Sequence, residues 1–206
     1  MGVFIDQNLS WKPHISHICK KISKACGALS KTRHIIGIET LKSIYHALVN
    51  SYLRYGILSW GNATHSALQP LQTLINRAVR IMSFAPFGRL DTKPIFQHLK
   101  LLNVDETFLL ESAKFIYKDK NGLLPISSIA HHFDRPNRNS NRTLRLRSHP
   151  SVAPYNLLSN SAKKSIQVRS SQIWESIPYS IRVFPLLSTF KTNFKYYLIQ
   201  NEPMPF

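Results

Sequence analysis

The apolar side chains Trp11, Ile15, Ile18, Cys19, Ile22, Ala25, Cys26 and Leu29 recur at steps of three and four. Only a helix lines up such positions on one face. The spacing therefore predicts a helix over 11–36, with Pro13 in the first turn, where a missing N–H does no harm, and Gly37 as its stop. Lys20, Lys24 and Lys31 fall on the opposite face.

The same period returns along the chain. Thr40 is positioned to cap a second helix carrying Leu41, Ile44, Tyr45, Leu48, Val49, Tyr52 and Leu53, followed by "YGILSWGN" (55–62). A third helix is expected over 66–84, with Leu68, Leu71, Leu74, Ile75, Val79 and Met82 inward, Arg77 and Arg80 off that stripe, and Pro86 and Gly88 breaking it. "KPIFQHLKLLNV" reads as a short helix and turn. Asn103 and Glu106 have capping-box spacing ahead of a helix built on Leu109, Leu110, Ala113, Ile116 and Tyr117, which Gly122 ends. "LLPISSIAHHF" supplies one more short helix. Ile166 and Val168 alternate with polar residues, so a short strand is expected there. Leu187, Phe190, Phe194 and Leu198 stripe a last helix, and "NEPMPF" should fray. At the other end, Val3-Phe4-Ile5-Asp6 reads as a short strand that needs a partner from elsewhere.

Composition bounds what such a chain can do. Its 206 residues are 43% hydrophobic, enough for one substantial core with room for a small satellite. Lys and Arg total 27 against 10 Asp and Glu, a formal charge of +17, which favours a polyanionic partner. Nucleic acid is the commonest, and an anionic membrane surface is the rival. "DRPNRNSNRTLRLRSHPS" (134–151) is poor in large apolar residues and rich in arginine, Arg142, Arg145 and Arg147 among them, and reads as a basic linker. Neither a secretory leader nor a run of about 20 apolar residues is visible, so no membrane span is expected. Cys19 and Cys26 lie too far apart along one helix to bridge each other. An intracellular, reducing compartment fits, with nucleus and cytoplasm undistinguished.

Several chemistries lack their residues. Metal-dependent polymerases and nucleases need clustered carboxylates, yet the acids here are scattered, and the adjacent Asp105 and Glu106 are explained by helix capping. His14, His17 and Cys19 lack a second ligand pair at zinc spacing, since His131 and His132 are adjacent to each other. Exposed helix histidines beside a core cysteine are the simpler reading. There is no Gly-rich phosphate loop and no nucleophile elbow. What is present is basic charge on helices and in the linker: Lys20, Lys24, Lys31, Arg77, Arg80, Arg142, Arg145 and Arg147 are the candidate nucleic-acid contacts. Trp11, Tyr45, Tyr52, Trp60, Trp174 and Phe190 sit on helical stripes or beside turns and are expected in the core rather than as base-stacking platforms.

Four motifs occur in an order that resembles one family. "GVFIDQNLSWKPHI" (2–15) is similar to the segment just after the catalytic palm in reverse transcriptases of non-LTR retrotransposons, especially jockey-like mobile elements; Met1 stands where that family has Leu. "SYLRYGILSWGN" resembles its Tyr-x-x-Tyr-Gly-x-x-x-Trp-Gly, and "LQTLINRAVRIMSFAP" its Leu-Gln-x-x-Gln-x-x-Ala-x-Arg-x-Ile, with Asn76 at the second Gln. "QIWESIPYSIRVFPLLSTFKTNFKYYL" resembles its terminal Trp-x-x-Leu-Pro block and closing helix. The resemblance covers about residues 2 to 200.

The resemblance implies a mainly α chain: a helical thumb-like bundle with a short N-terminal strand beside the primer grip and a small α+β C-terminal extension. The corresponding divisions are 1–133, a basic linker over 134–150, and 151–206. The implied partners are an RNA/DNA template–primer duplex and the parent enzyme's palm. That palm carries a Phe/Tyr-x-Asp-Asp turn and would hold magnesium. No such aspartate pair occurs here, so the expectation is a truncated polymerase fragment with no cofactor and no catalysis of its own. The alternative is a non-enzymatic helical interaction protein whose charge serves an anionic membrane or a protein.

Overall fold

The computed structural model describes residues 2–85, 91–124 and 166–201. Most of the "LLPISSIAHHF" helix, the basic stretch 134–150 and the chain end beyond 201 lie outside the described residues. The described part is mainly helical and contains no strand. Its helices are α1 (Lys12–Thr32), α2 (Ile38–Tyr45), α3 (Ser51–Arg54), α4 (Ile57–Trp60), α5 (His65–Ser83), α6 (Lys93–Leu99), α7 (Val104–Lys120), α8 (Ile166–Ser176), α9 (Tyr179–Arg182) and α10 (Leu187–Gln200).

Two strand expectations are corrected. Val3 to Asp6 forms an irregular lead-in to α1. Its geometry is set by the Asp6 carboxylate, which accepts the N–H of Ser10 (3.0 Å) and Trp11 (2.9 Å), while the Asp6 carbonyl accepts from Leu9 (3.0 Å). These bonds close a loop, hold the Asp6 carboxyl below its usual range, and leave Phe4 against the ring of His17, 4.9 Å between centroids. Ile166 and Val168 lie in α8 instead of a strand. Buried Ser170, Ile173 and Ile177 extend the pattern from Ile166 at steps of four, three and four, and that longer period outweighs a single alternation.

Helix ends also differ from expectation. α1 stops at Thr32, whose hydroxyl bonds back to the Ala28 carbonyl at 3.0 Å, and Ile35 beyond it is 82% exposed, so no apolar stripe carries the helix to 36. Gly37 takes extended geometry as the N-cap of α2, and Thr40 lies inside that helix. Between α2 and α3 the backbone makes a π-helical turn, His46–Asn50. Leu41, Tyr45, Val49 and Leu53 are all buried and all four residues apart. An α-helix turns every 3.6 residues, so such a stripe drifts by roughly 40° per step. The wider π turn absorbs the drift and leaves Leu48, expected inward, exposed.

Two large apolar clusters, and a small one pairing Ile116 with Ile173, meet on α7. One joins α1 through α6, with Ile22, Leu29, Val49, Trp60, Leu71 and Ile75 at its centre. The other packs Leu109, Leu110, Ala113 and Tyr117 of α7 against Ile177, Ile181, Phe190, Phe194 and Leu198. α7 is buried on nearly every side, as a helix shared by two cores must be. Its start carries the expected capping box: the Asn103 side chain accepts the Glu106 N–H at 2.8 Å, and Glu106 Oε2 accepts the Asn103 N–H at 2.9 Å.

Candidate nucleic-acid interface

α1 buries His14, Ile15, Ile18, Ile22, Ala25, Cys26 and Leu29. Lys20, Lys24 and Lys31 are exposed, and at 100° per residue they lie opposite that stripe. α5 is the main partner of α1. The Cys26 thiol points at the Leu74 carbonyl (3.7 Å), and further along both helices the Arg33 guanidinium sits 4.9 Å over the Phe84 ring, so α1 and α5 run in the same direction. Arg77 of α5 is exposed and near enough for its charge to act on Cys26. Arg80, one turn on, is half-buried. Arg142, Arg145 and Arg147 lie outside the described residues.

The histidine–cysteine group resolves into packing. His14, expected exposed, is 2% exposed. It lies edge-on to Trp60, 5.7 Å between centroids, its Nδ1 accepts the Phe4 N–H at 3.4 Å, and burial pushes its pKa down. Burial raises the pKa of the Cys19 and Cys26 thiols, which disfavours the reactive thiolate at neutral pH. Among the described residues no group of three His, Cys, Asp or Glu side chains converges as a metal site, and no helix is long and apolar enough to cross a membrane.

The motif residues serve the packing. Trp60 is fully buried, with its indole N–H on the Tyr55 carbonyl at 2.9 Å. Gly56 has φ +63°, and a Cβ at Gly61 would stand 2.5 Å from the Phe108 ring, a contact no side chain can make. Gln72 donates to Asn76 Oδ1 (2.7 Å) and accepts the Val104 N–H (3.0 Å), satisfying one donor at the start of α7. Trp174 stacks in line with Phe190 and Phe194. Trp60, Tyr45 and Phe190 are core, as expected, while Trp11, Tyr52 and Trp174 are half-buried at its edge.

A second basic group escaped the sequence. His46 of the π turn, Arg54 of α3, and Lys191 and Lys195 of α10 line one cleft with Glu111 of α7. They come from segments far apart in the chain, and the only local signal is the four-residue spacing of Lys191 and Lys195.

No protein-family model matches the chain, and no curated protein or solved structure matches it at a significant level.

Proposed function

We propose that this chain is a nucleic-acid-binding helical unit, of the thumb-like kind that follows the palm in non-LTR retrotransposon reverse transcriptases. It would grip a template–primer duplex through backbone phosphates. The observation that carries the reading is the row Lys20, Lys24 and Lys31 on the exposed face of a helix whose other face is core, in a chain of net charge +17. Lysines so placed can address phosphates without disturbing the fold. The order of the four motifs supplies the choice of family. The absence of paired aspartates from the sequence leads to the expectation that the chain does not extend a primer in magnesium.

The test is binding to duplexes of unrelated sequence across a salt series. Affinity should be nearly sequence-independent and fall steeply with salt. Lys20→Gln with Lys24→Gln should weaken binding to every duplex alike and flatten the log–log slope by up to about two units. A separate deletion of 134–150 measures the linker's share. Binding unchanged by the double substitution but abolished by the deletion would overturn the α1 assignment. Binding to anionic vesicles without binding to duplex would replace nucleic acid with a membrane surface.

A further inference from the structure

The cleft behind the π turn carries an inference that stands apart from the α1 face. It encloses about 170 Å³ and is lined by His46, Arg54, Glu111, Lys191 and Lys195. Glu111 is the one carboxylate among its described lining residues. It accepts from Arg54 Nε at 2.7 Å and from Lys114 Nζ at 2.6 Å. Lys191 and Lys195 have no ion-pair partner among the described residues. They sit one turn apart on α10, where like charges repel. One carboxylate against three cations, Arg54, Lys191 and Lys195, leaves a surplus of positive charge at a partly enclosed site.

Such a surplus is costly without a counter-charge. Burial and then the charges of Lys191, Arg54, Lys100 and Lys42 hold Lys195 below its ordinary pKa. Burial, Lys195, Arg54 and Lys42 do the same to His46. Arg54 is held by Glu111 through Nε, which orients its terminal nitrogens as a fork suited to an oxyanion. The cleft is open to solvent on one side, and its volume has room for a phosphate-sized group. The π turn that forms one wall is a backbone irregularity of a kind frequent at functional sites.

We infer that this cleft binds a single phosphoryl group, with Arg54, Lys191 and Lys195 as its cationic ligands and His46 at the rim. Two sources share that chemistry: free phosphate and a phosphodiester of a nucleic-acid strand.

The experiment titrates the full chain with inorganic phosphate, by calorimetry and by the NMR signals of the lysine Nζ groups. The wild type should bind and shift Lys191 and Lys195. Lys191→Gln with Lys195→Gln should weaken phosphate at least about tenfold, the size of one lost charge-assisted bond. Lys12→Gln with Lys21→Gln removes equal charge from α1 and should leave phosphate binding unchanged. Thermal melting of each variant separates lost binding from lost fold; the α10 pair should melt no lower than wild type, because it relieves repulsion. A duplex without terminal phosphates is the second arm. If it displaces phosphate from the wild type, the source is a strand; if phosphate binds and duplex does not displace it, the source is free phosphate. No phosphate binding, equal loss in the α1 control, or unshifted Lys191 and Lys195 signals would overturn the inference. Failure of duplex binding with phosphate binding intact would count against the α1 interface alone.

Discussion

The outer face of α1 and the cleft beside α10 are both basic, but they hold charge in different ways. Lys20, Lys24 and Lys31 are exposed, and their pairing with any partner is screened by salt. Lys195 in the cleft, and Lys114 paired with Glu111 beside it, are half-buried and their pKa values are depressed, first of all by burial. Charge on an open helix face costs the fold almost nothing and can vary freely. Charge in the cleft weakens the fold unless something negative balances it, and Glu111 balances only part. α7 shows the converse at its start. Glu106 is 7% exposed, and burial pushes its pKa up to about 7 despite the Asn103 N–H that favours its ionised form.

The sharpest way to break the comparison begins with the support it rests on. Trp60→Ala empties the core beneath α1 and removes the indole N–H bond to the Tyr55 carbonyl, and should cost about 3–5 kcal/mol in denaturant unfolding. Trp11→Ala, at the edge of the same core, should cost clearly less. Equal costs would mean that the core does not centre where burial places it.

Next is the buried Glu106 carboxylate, where burial outweighs both the Asn103 N–H and the nearby Lys93 charge. The folded pKa of Glu106 lies above its ordinary 4.5. The native state therefore binds more protons between pH 4.5 and about 7, and stability falls as pH rises through that window. Glu106→Gln keeps an acceptor for the Asn103 N–H and removes the charge. It should gain about 2–3 kcal/mol at pH 8 and almost nothing at pH 4. A gain independent of pH would show that charge burial is not the cause.

Glu111→Gln compares a largely buried carboxylate that holds two cations with one in water. It deprives both Arg54 and Lys114 and should cost about 1–3 kcal/mol. Glu39→Gln breaks only the pair with Lys42 on a side chain 81% exposed and should change stability by less than about 0.5 kcal/mol. Equal effects would erase the distinction between the two regions.

The smallest effect is the most specific. Lys195→Met should stabilise by roughly 0.5–1 kcal/mol at pH 7. The gain should shrink as pH climbs towards 10.5, the ordinary lysine value, because the wild-type side chain then sheds its charge in the folded state first. Lys24→Met should do neither.

The helices were legible because each repeats its apolar stripe locally: α1, α5, α7 and α10 follow from spacing alone, and the Asn103–Glu106 box from four consecutive residues. The lysine row of α1 was legible for the same reason, as the complement of a stripe. The lead-in at Val3–Asp6 was misread because a few apolar residues cannot declare whether a partner strand exists; one carboxylate closing on two N–H groups decided it. The Ile166 segment was misread because its period shows only when Ile173 and Ile177 are counted.

The sequence by itself determined where α1, α5, α7 and α10 lie, the main stripe that each buries and that the chain carries a large positive charge, since those properties depend on neighbours within one or two turns. Only the tertiary structure decided that Gly61 must lie flat against Phe108, that Glu106 is buried while Glu111 is shared by Arg54 and Lys114, and that His46, Arg54, Lys191 and Lys195 share a cleft. Those are contacts across tens to more than a hundred residues, fixed by how α7 seats between two cores, and no local pattern encodes them.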